Sequence, residues 1–273
     1  MSTPAIAFEH VNFAYPEGPP VLRDVSVSIP AGQAVALVGI NGSGKSTLLR
    51  HLIGLLHPGA GTVRINGVAT AAASTGALAR QVGFAFQQPE QQLFSPTVRA
   101  EIAFGPRNLG LRGAALRARV DETLARFDLE RLAEHPPAVL SFSLRRLVAL
   151  ASIAALHTPI LALDEPLVGL DGLWRRRVIA WLNQHHDSGG TTLLVTHHVR
   201  LAGKAERILV MDGGRLVADG PPTEVFARPE TLEDAGLSLP FSVALGHALG
   251  LPCPTLLVRE VAEAVAGRKA SHR

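Results

Sequence analysis

The sequence has little cysteine and little charge, and each shortage excludes a class of protein. Among 273 residues there is one cysteine, Cys253, which excludes an internal disulfide framework and is typical of a reducing compartment. Charged residues make up 18% of the chain, and the net charge of +3 is too small to predict a nucleic-acid-binding surface. We therefore expect no nucleic-acid partner.

Long apolar segments and a signal peptide are also absent from the sequence. The most apolar stretches, 147–163 and 241–258, are broken by histidine and proline, whereas a membrane-spanning helix needs about 18 unbroken apolar residues. The first ten residues lack the basic start and apolar run of a signal peptide. Hydrophobic residues nevertheless make up 47% of the chain, so we expect a cytoplasmic globular protein with a substantial core.

Alternating apolar residues predict strands at both ends of the chain. The pattern indicates a half-buried strand pair over Ile6–Tyr15, interrupted near His10, and a further strand over Val21–Ile29. Other short strands are expected at Ala34–Val38, Val82–Phe86, Ile160–Leu163, Leu193–Thr196, Ile208–Met211 and Arg215–Ala218.

Helical spacing dominates the middle of the chain. Leu116, Val120, Leu124 and Phe127 recur with charged residues between them, and Leu147–Leu156 reads as a second helix. Residues 88–158 are therefore predicted to form a helical insertion between strands. After residue 220, prolines and short amphipathic segments indicate a helical appendage.

A glycine-rich motif, G-x-x-x-x-G-K-S, runs from Gly39 to Ser46, after a predicted strand and before a helix predicted at Thr47–Leu56. Glycines let successive backbone N–H groups face a polyphosphate, and the helix N-terminus adds partial positive charge. Lys45 should reach the β- and γ-phosphates, and the Ser46 hydroxyl should bind Mg²⁺. The alternative is a glycine turn without a ligand. The predicted nucleotide-binding residues here are Asn41, Gly42, Ser43, Gly44, Lys45, Ser46 and Thr47.

A second motif is an apolar strand that ends in two carboxylates, Asp164 and Glu165. This arrangement is typical of a Walker B strand, in which Asp164 would hold Mg²⁺ and Glu165 would act as general base toward water. A strand-end acidic pair can instead cap the following segment. A P-loop in the same chain favours the Walker B interpretation, and with it ATP and Mg²⁺ as cofactors.

The ordered motifs resemble those of the nucleotide-binding subunit of an ATP-binding cassette (ABC) transporter, over residues 3–235. The resemblance implies an α/β fold: a P-loop NTPase, RecA-like core with a mainly parallel sheet, an N-terminal antiparallel β-subdomain and an inserted α-helical subdomain. It implies an ATPase domain over residues 1–235, leaving 236–273 as the helical appendage. It also implies an ATPase coupled to transmembrane transport.

The same resemblance implies roles for four further residues. Tyr15 matches the aromatic residue that stacks on adenine, although an ordinary strand aromatic is the alternative. Gln87 matches the Q-loop glutamine that contacts Mg²⁺ and water, with the neighbouring Gln88 leaving the register open. Asp171 matches the D-loop, and His197 matches the switch histidine that contacts the γ-phosphate.

A narrower resemblance is to the energy-coupling factor (ECF) importers of vitamins or transition-metal ions. It rests on the segment Val82–Phe94, on Ala103–Gly110 and on the tail from Pro222 to Pro240. It implies three partners: a second ATPase subunit, a transmembrane coupling subunit and a small membrane-embedded substrate-binding subunit. The chain would then lie peripherally on the cytoplasmic face of the cell membrane. The transported substrate cannot be read from a subunit that does not touch it.

The signature motif departs from the family pattern. Where the family has Leu-Ser-Gly-Gly-Gln, this chain has Leu-Ser-Phe-Ser-Leu at residues 140–144. In the family this loop contacts the nucleotide on the other subunit, and only Ser141 remains here as a phosphate contact. The resemblance therefore implies an asymmetric heterodimer whose partner has an intact signature. The alternative is a shifted loop in a working homodimer.

Three other functions are alternatives to a transport ATPase. Phe142 and Leu144 favour a regulatory nucleotide-binding subunit with little hydrolysis, whereas Glu165 and His197 disfavour it. A non-transport ABC protein acting on ribosomes or DNA would usually carry two cassettes or long coiled coils, which this sequence lacks. The scattered histidines, such as His185, could indicate a metal chaperone, but solvated surface positions explain them more simply.

Overall fold

The computed structural model describes residues 3–88, 93–251, 259 and 261–263. The strands are β1 (Ile6–Ala14), β2 (Pro20–Ile29), β3 (Ala34–Val38), β4 (Ala60–Ile65), β5 (Val68–Ala69), β6 (Val82–Ala85), β7 (Ile160–Asp164), β8 (Thr191–Val195), β9 (Arg207–Asp212) and β10 (Arg215–Gly220). The helices are α1 (Lys45–Leu52), α2 (Thr75–Ala79), α3 (Val98–Asn108), α4 (Gly113–Arg126), α5 (Phe142–Ala154), α6 (Gly172–Asp187), α7 (Val199–Ala202), α8 (Pro222–Phe226), α9 (Pro229–Asp234) and α10 (Phe241–Ala248).

The strands of the described ranges form two sheets. The first is antiparallel with the order β2-β1-β4-β5, and the second has the order β10-β9-β3-β8-β7-β6. In the second sheet all neighbours are parallel except β10, which is antiparallel to β9. Helices α3, α4 and α5 lie between β6 and β7 in the chain.

The two faces of the parallel sheet pack against different layers because side chains alternate along a strand. Val35, Leu37 and Ala162 lie in one core with α1 and the antiparallel sheet. On the other face, Leu161 and Leu163 pack in a core with α3–α6. The sheet is therefore buried on both sides, which explains its near-continuous apolar strands.

Several predicted elements differ from the observed ones in their bounds, and β1, α1 and α5 differ most. The expected pair of strands at 6–15 is one strand, β1, which bulges at His10: its φ is 52° and the register with β2 shifts between Phe8 and Val11. Helix α1 begins at Lys45 rather than Thr47, since the chain enters it directly from Gly44, and it ends at Leu52 rather than Leu56.

Helix α5 also begins earlier than predicted, at Phe142 instead of Leu147. Its first turn is capped by Ser141, whose Oγ accepts a hydrogen bond from the backbone N–H of Leu144 at 3.4 Å. The apolar periodicity of a helix does not reveal where its capping residue lies, so the pattern placed the start too late.

The topology brings the motif-bearing segments to one edge of the sheet. Leu37 pairs with Val195, and Val195 pairs with Asp164, so the carboxyl ends of β3, β8 and β7 are level. Ligands of open α/β sheets bind at this edge. Within the residues that the structure describes, no helix is long and apolar enough to cross a membrane.

Candidate functional site

The P-loop follows β3 and depends on glycine at two positions. Gly44 has a φ of 105°, and a Cβ there would lie 2.9 Å from Met211 Cε. At Gly39 a Cβ would overlap the Met211 carbonyl oxygen and the Ser43 hydroxyl. Glycine therefore allows the loop to fold closely onto β9, in a conformation that leaves room for phosphate against the backbone.

Lys45 is held inside this loop. Its Nζ donates to the carbonyl oxygens of Gly39 at 2.8 Å and Ile40 at 2.7 Å. Burial lowers the pKa of the Lys45 ammonium from its ordinary value, and the nearby carboxylates of Glu165 and Asp164 oppose that shift. An ammonium group that is partly desolvated in this way interacts strongly with an anionic ligand.

Ser46 and Asp164 form an oxygen-rich pair beside Lys45. Asp164 ends β7 and is buried, and the Ser46 hydroxyl hydrogen-bonds to its carboxylate. Burial raises the pKa of Asp164 above its ordinary value, while the Ser46 hydrogen bond and the Lys45 charge act in the opposite direction. A hydroxyl and a carboxylate are the hard oxygen donors that Mg²⁺ prefers, so these residues fit the ion.

Glu165 and His197 are in direct contact. One carboxylate oxygen, Oε1 of Glu165, accepts hydrogen bonds from the backbone N–H of His197 at 2.7 Å and from its Nδ1 at 2.6 Å. Glu165 is 7% exposed and has a left-handed backbone with φ of 50°. Such a backbone is strained for a residue other than glycine, and strained residues concentrate at functional sites.

These groups line one cavity of about 1020 Å³. Of the residues predicted from the sequence, its lining contains Asn41, Gly42, Gly44, Lys45, Ser46, Thr47, Gln87, Asp164, Glu165 and His197. Gln88 is not among the lining residues. The predicted P-loop, Walker B, Q-loop and switch segments therefore converge around a space large enough for a nucleotide.

Four other predicted site residues lie outside that lining. Ser43 is buried within the loop, with its Oγ 3.3 Å from Lys45 Nζ. Tyr15 lies beside the P-loop helix, with its hydroxyl 3.2 Å from Thr47 Oγ1. Ser141 and Asp171 are exposed and cap α5 and α6, respectively. The resemblance assigns Ser141 to a phosphate contact across a dimer, which a single chain does not contain, and it assigns Asp171 to the D-loop.

Sequence reasoning missed the C-terminal residues that line this cavity, Gly236, Leu237 and Ser238. Gly236 has a φ of 69°, and a Cβ there would lie 2.9 Å from Ile40 Cγ2 in the P-loop. The contact of Gly236 with residue 40 depends on long-range folding, so no local pattern in the sequence indicates it. Residues 89–92 of the ECF-like segment and most of the chain after 251 lie outside the described residues.

The fold and this site define a class of protein, and comparison with known proteins identifies it. The family model of the ABC transporter ATPases, described as "ABC transporter", matches residues 22–168. The chain belongs to this family. Its members hydrolyse ATP to drive transport, so the chain is an ATP-binding, ATP-hydrolysing transport subunit with the predicted fold class.

Individual relatives are more specific. The chain is 36% identical over 269 residues to the energy-coupling factor transporter ATP-binding protein EcfA1 of Caldanaerobacter subterraneus, covering 94% of this chain and 97% of the relative. It is 38% identical over 255 residues to the cobalt import ATP-binding protein CbiO of Rhodobacter capsulatus, covering 92% of this chain and 91% of the relative.

A solved structure agrees with these relatives. CbiO1 of Clostridium perfringens, described as part of the ABC transporter complex CbiONQ, superimposes with a TM-score of 0.74 at 31% identity, covering 91% of this chain and 99% of that one. The chain is thus similar to ATP-binding proteins of energy-coupling factor transport and of cobalt import.

Proposed function

We propose that this chain supplies the catalytic ATP site of an asymmetric ATPase pair that energises an importer of the energy-coupling factor type. The observation that carries the proposal is the contact of Glu165 with His197 inside the P-loop cavity. That arrangement provides a general base and a group that holds it, which a purely regulatory nucleotide-binding subunit does not need.

The proposed chemistry is the transfer of the γ-phosphoryl group to water. P-loop N–H groups and Lys45 hold the β- and γ-phosphates. Glu165 accepts a proton from the attacking water while the water oxygen forms a bond to the γ-phosphorus. The bond between the γ-phosphorus and the β–γ bridging oxygen breaks, and its electron pair leaves with ADP. His197 orients Glu165 and contacts the γ-phosphate. Preorganised donors around the developing charge lower the barrier.

Mg²⁺ would be held by Ser46, Asp164 and Gln87, whose side chains line the same cavity. When bound, the ion neutralises phosphate charge and orients the leaving group. At the base of the nucleotide, Tyr15 would stack on adenine. Its hydroxyl lies 3.2 Å from Thr47 Oγ1, and this position beside the P-loop helix supports a contact with the nucleotide.

The asymmetry follows from the signature segment. Phe142 takes the place of a glycine that lets backbone N–H groups approach the partner's nucleotide, and its side chain is 45% exposed. Ser141, at the N-terminus of α5, keeps one hydroxyl and the helix dipole for phosphate binding, and Asp171 is in the adjacent D-loop. The good site would combine this chain's P-loop with the intact signature of a second ATPase subunit.

Purified alone, this chain is expected to hydrolyse ATP slowly, because a homodimer carries two altered signature segments. Co-purification with a second ATPase subunit that has Leu-Ser-Gly-Gly-Gln is expected to raise turnover by about 10²–10³-fold, the contribution of preorganised donors to a developing charge. The rate of phosphate release at saturating Mg²⁺ and ATP measures the turnover of the isolated chain and of the pair. Full turnover by the isolated chain would contradict the asymmetric pair, and turnover in neither sample would favour the regulatory alternative.

A pair of exposed aromatic residues is the proposed docking surface for the transmembrane coupling subunit. Phe94 and Phe104 are 66% and 43% exposed, and their ring centroids lie 4.7 Å apart. Glu101, which is buried, accepts hydrogen bonds from the N–H groups of Phe94 and Ser95 at 3.1 and 2.8 Å. These hydrogen bonds connect the backbone at Phe94 and Ser95, a few positions after Gln87 of the Q-loop, to α3, which carries Phe104.

Replacing Phe104 by glutamine is expected to weaken binding to the membrane subunits by about 30-fold, the loss of an aromatic anchor worth about 2 kcal/mol. Retention of the ATPase pair on the immobilised membrane complex measures the affinity. Val217→Gln is the matched control, since Val217 is a similarly exposed apolar residue on β10, 45% exposed. Equal retention of both variants would place the docking surface elsewhere.

The remaining parts of the proposal concern organisation and cargo. The ATPase domain comprises residues 1–235, with the helical subdomain at 88–158, and the appendage comprises 236–273. Leu237 and Val243 share a core with Val210, so the described start of the appendage packs on the ATPase domain. The chain would lie on the cytoplasmic face of the membrane and serve, with a small membrane substrate-binding subunit, the uptake of a vitamin or transition-metal ion.

A further inference from the structure

Arg146 is a buried charged residue to which the proposed mechanism gives no role. It lies in the second turn of α5 and is only 3% exposed. Its guanidinium donates to two consecutive carbonyl oxygens beyond β7: Nη2 to Glu165 at 2.6 Å and Nε to Pro166 at 3.3 Å. Two hydrogen bonds from a buried guanidinium to the backbone next to the general base indicate a specific task for Arg146.

That task is suggested by the backbone of Glu165. The left-handed φ of 50° persists only where surrounding contacts hold it. The N–H of Glu165 donates to the Val195 carbonyl at 3.0 Å, and its own carbonyl accepts from Arg146. The residue is therefore fixed on both sides of its Cα, which determines the direction in which its carboxylate leaves the backbone.

Phe142 connects this clamp to the signature segment. It lies one helical turn before Arg146, whose guanidinium carbon is 5.9 Å from the centroid of the Phe142 ring. The ring also occupies the space next to Gly169 in the D-loop, where φ is 73° and any Cβ would overlap the ring. The residue that departs most from the family pattern therefore covers the arginine that holds Glu165.

We propose that Arg146 is a positioning residue for Glu165 and that Phe142 holds Arg146 in place, so that the signature segment of this chain is mechanically linked to its own general base. The inference rests on the proposed function. Phe142 then has two roles. Its ring weakens the contact with the partner's nucleotide, and through Arg146 it helps to hold the Glu165 carboxylate of the same chain in position. Movement of α5 during pairing would then be transmitted to Glu165.

The test compares Arg146→Met and Arg146→Lys in the assembled pair. Arg146→Met is expected to lower kcat by about 10²-fold, the effect of a small misplacement of a catalytic group, with KM and the Kd for ATP within about twofold of wild type. Arg146→Lys retains a charged donor that reaches one of the two carbonyls, so its kcat should be about tenfold higher than that of Arg146→Met. Phe142→Leu, which keeps apolar cover without the ring face, is expected to lower kcat a few-fold.

The matched control is Arg119→Met. Arg119 also donates to a backbone carbonyl, that of Ala155 at 2.9 Å, but it lies on α4. It should leave kcat unchanged. An unchanged kcat in Arg146→Met would overturn this inference but not the proposed function. The same holds if kcat and ATP affinity fall equally and Arg146→Lys does not recover the loss. If Arg146→Met does not fold, Arg146→Lys and Phe142→Leu decide. Absence of hydrolysis by the wild-type pair overturns the proposed function and this inference with it.

Discussion

Glu165→Gln in this chain is expected to lower ATP hydrolysis by the assembled pair by about 10²–10⁴-fold, the range for loss of a general base. Glutamine can still accept the hydrogen bonds that His197 donates to Oε1. The local geometry should therefore persist, and only the capacity to take a proton from water is removed. Single-turnover measurement of phosphate release, with ATP binding followed separately, isolates this effect.

The same substitution at the equivalent glutamate of the partner subunit is the informative control. In an asymmetric pair that glutamate serves the site facing the altered signature of this chain, so its loss should change turnover by less than about twofold, since that site contributes little to the total. Near-wild-type hydrolysis by a pair carrying Glu165→Gln would refute our site assignment. Equal loss from either subunit would instead indicate two equivalent sites.

Asp164→Asn is expected to have opposite effects on activity and stability. Activity should fall by about 10²-fold or more, because a ligand of the metal that neutralises transition-state charge is lost. Stability should rise in the absence of nucleotide, because burial raises the pKa of Asp164 and the ionised carboxylate is therefore disfavoured in the folded protein. Functional sites commonly carry such a stability cost.

The pH dependence follows from the direction of that shift. A carboxyl whose pKa is higher in the folded state binds its proton more tightly there, so its stabilising effect is present below the ordinary value of about 3.9 and is lost as the pH rises through the folded-state pKa. Asparagine does not titrate. The stability advantage of the variant should therefore be nearly absent at about pH 4, grow with pH, and level off above the folded-state pKa of Asp164.

Thermal unfolding with and without Mg²⁺ and ATP measures this prediction. Each kcal/mol of relief should raise Tm by about 2–4 °C in a domain of about this size. Added Mg²⁺ and ATP should stabilise the wild type by mass action and the variant much less. A variant with a lower Tm than wild type at neutral pH, or with a pH-independent difference, would contradict the assigned burial cost.

The order of motifs along the chain was sufficient for the family and fold class. The P-loop, the strand before Asp164 and Glu165, and the strand before His197 are local patterns, and short-range chemistry determines what each can do. The family match and the relatives confirmed the family. Boundaries were less predictable: α5 begins at Phe142, five residues before the predicted start at Leu147.

The amino-acid sequence by itself determined which phosphate-binding and acidic groups this protein carries, and that its signature segment lacks the expected glycines. Only the tertiary structure decided what Phe142 and Arg146 do. Their contacts with Gly169 and with the carbonyl of Glu165 join α5 to segments about 20 to 27 positions later in the chain. Such contacts depend on how α5 packs on the parallel sheet, and no local periodicity encodes that arrangement. For the same reason the approach of Gly236 to Ile40 was visible only in the folded chain.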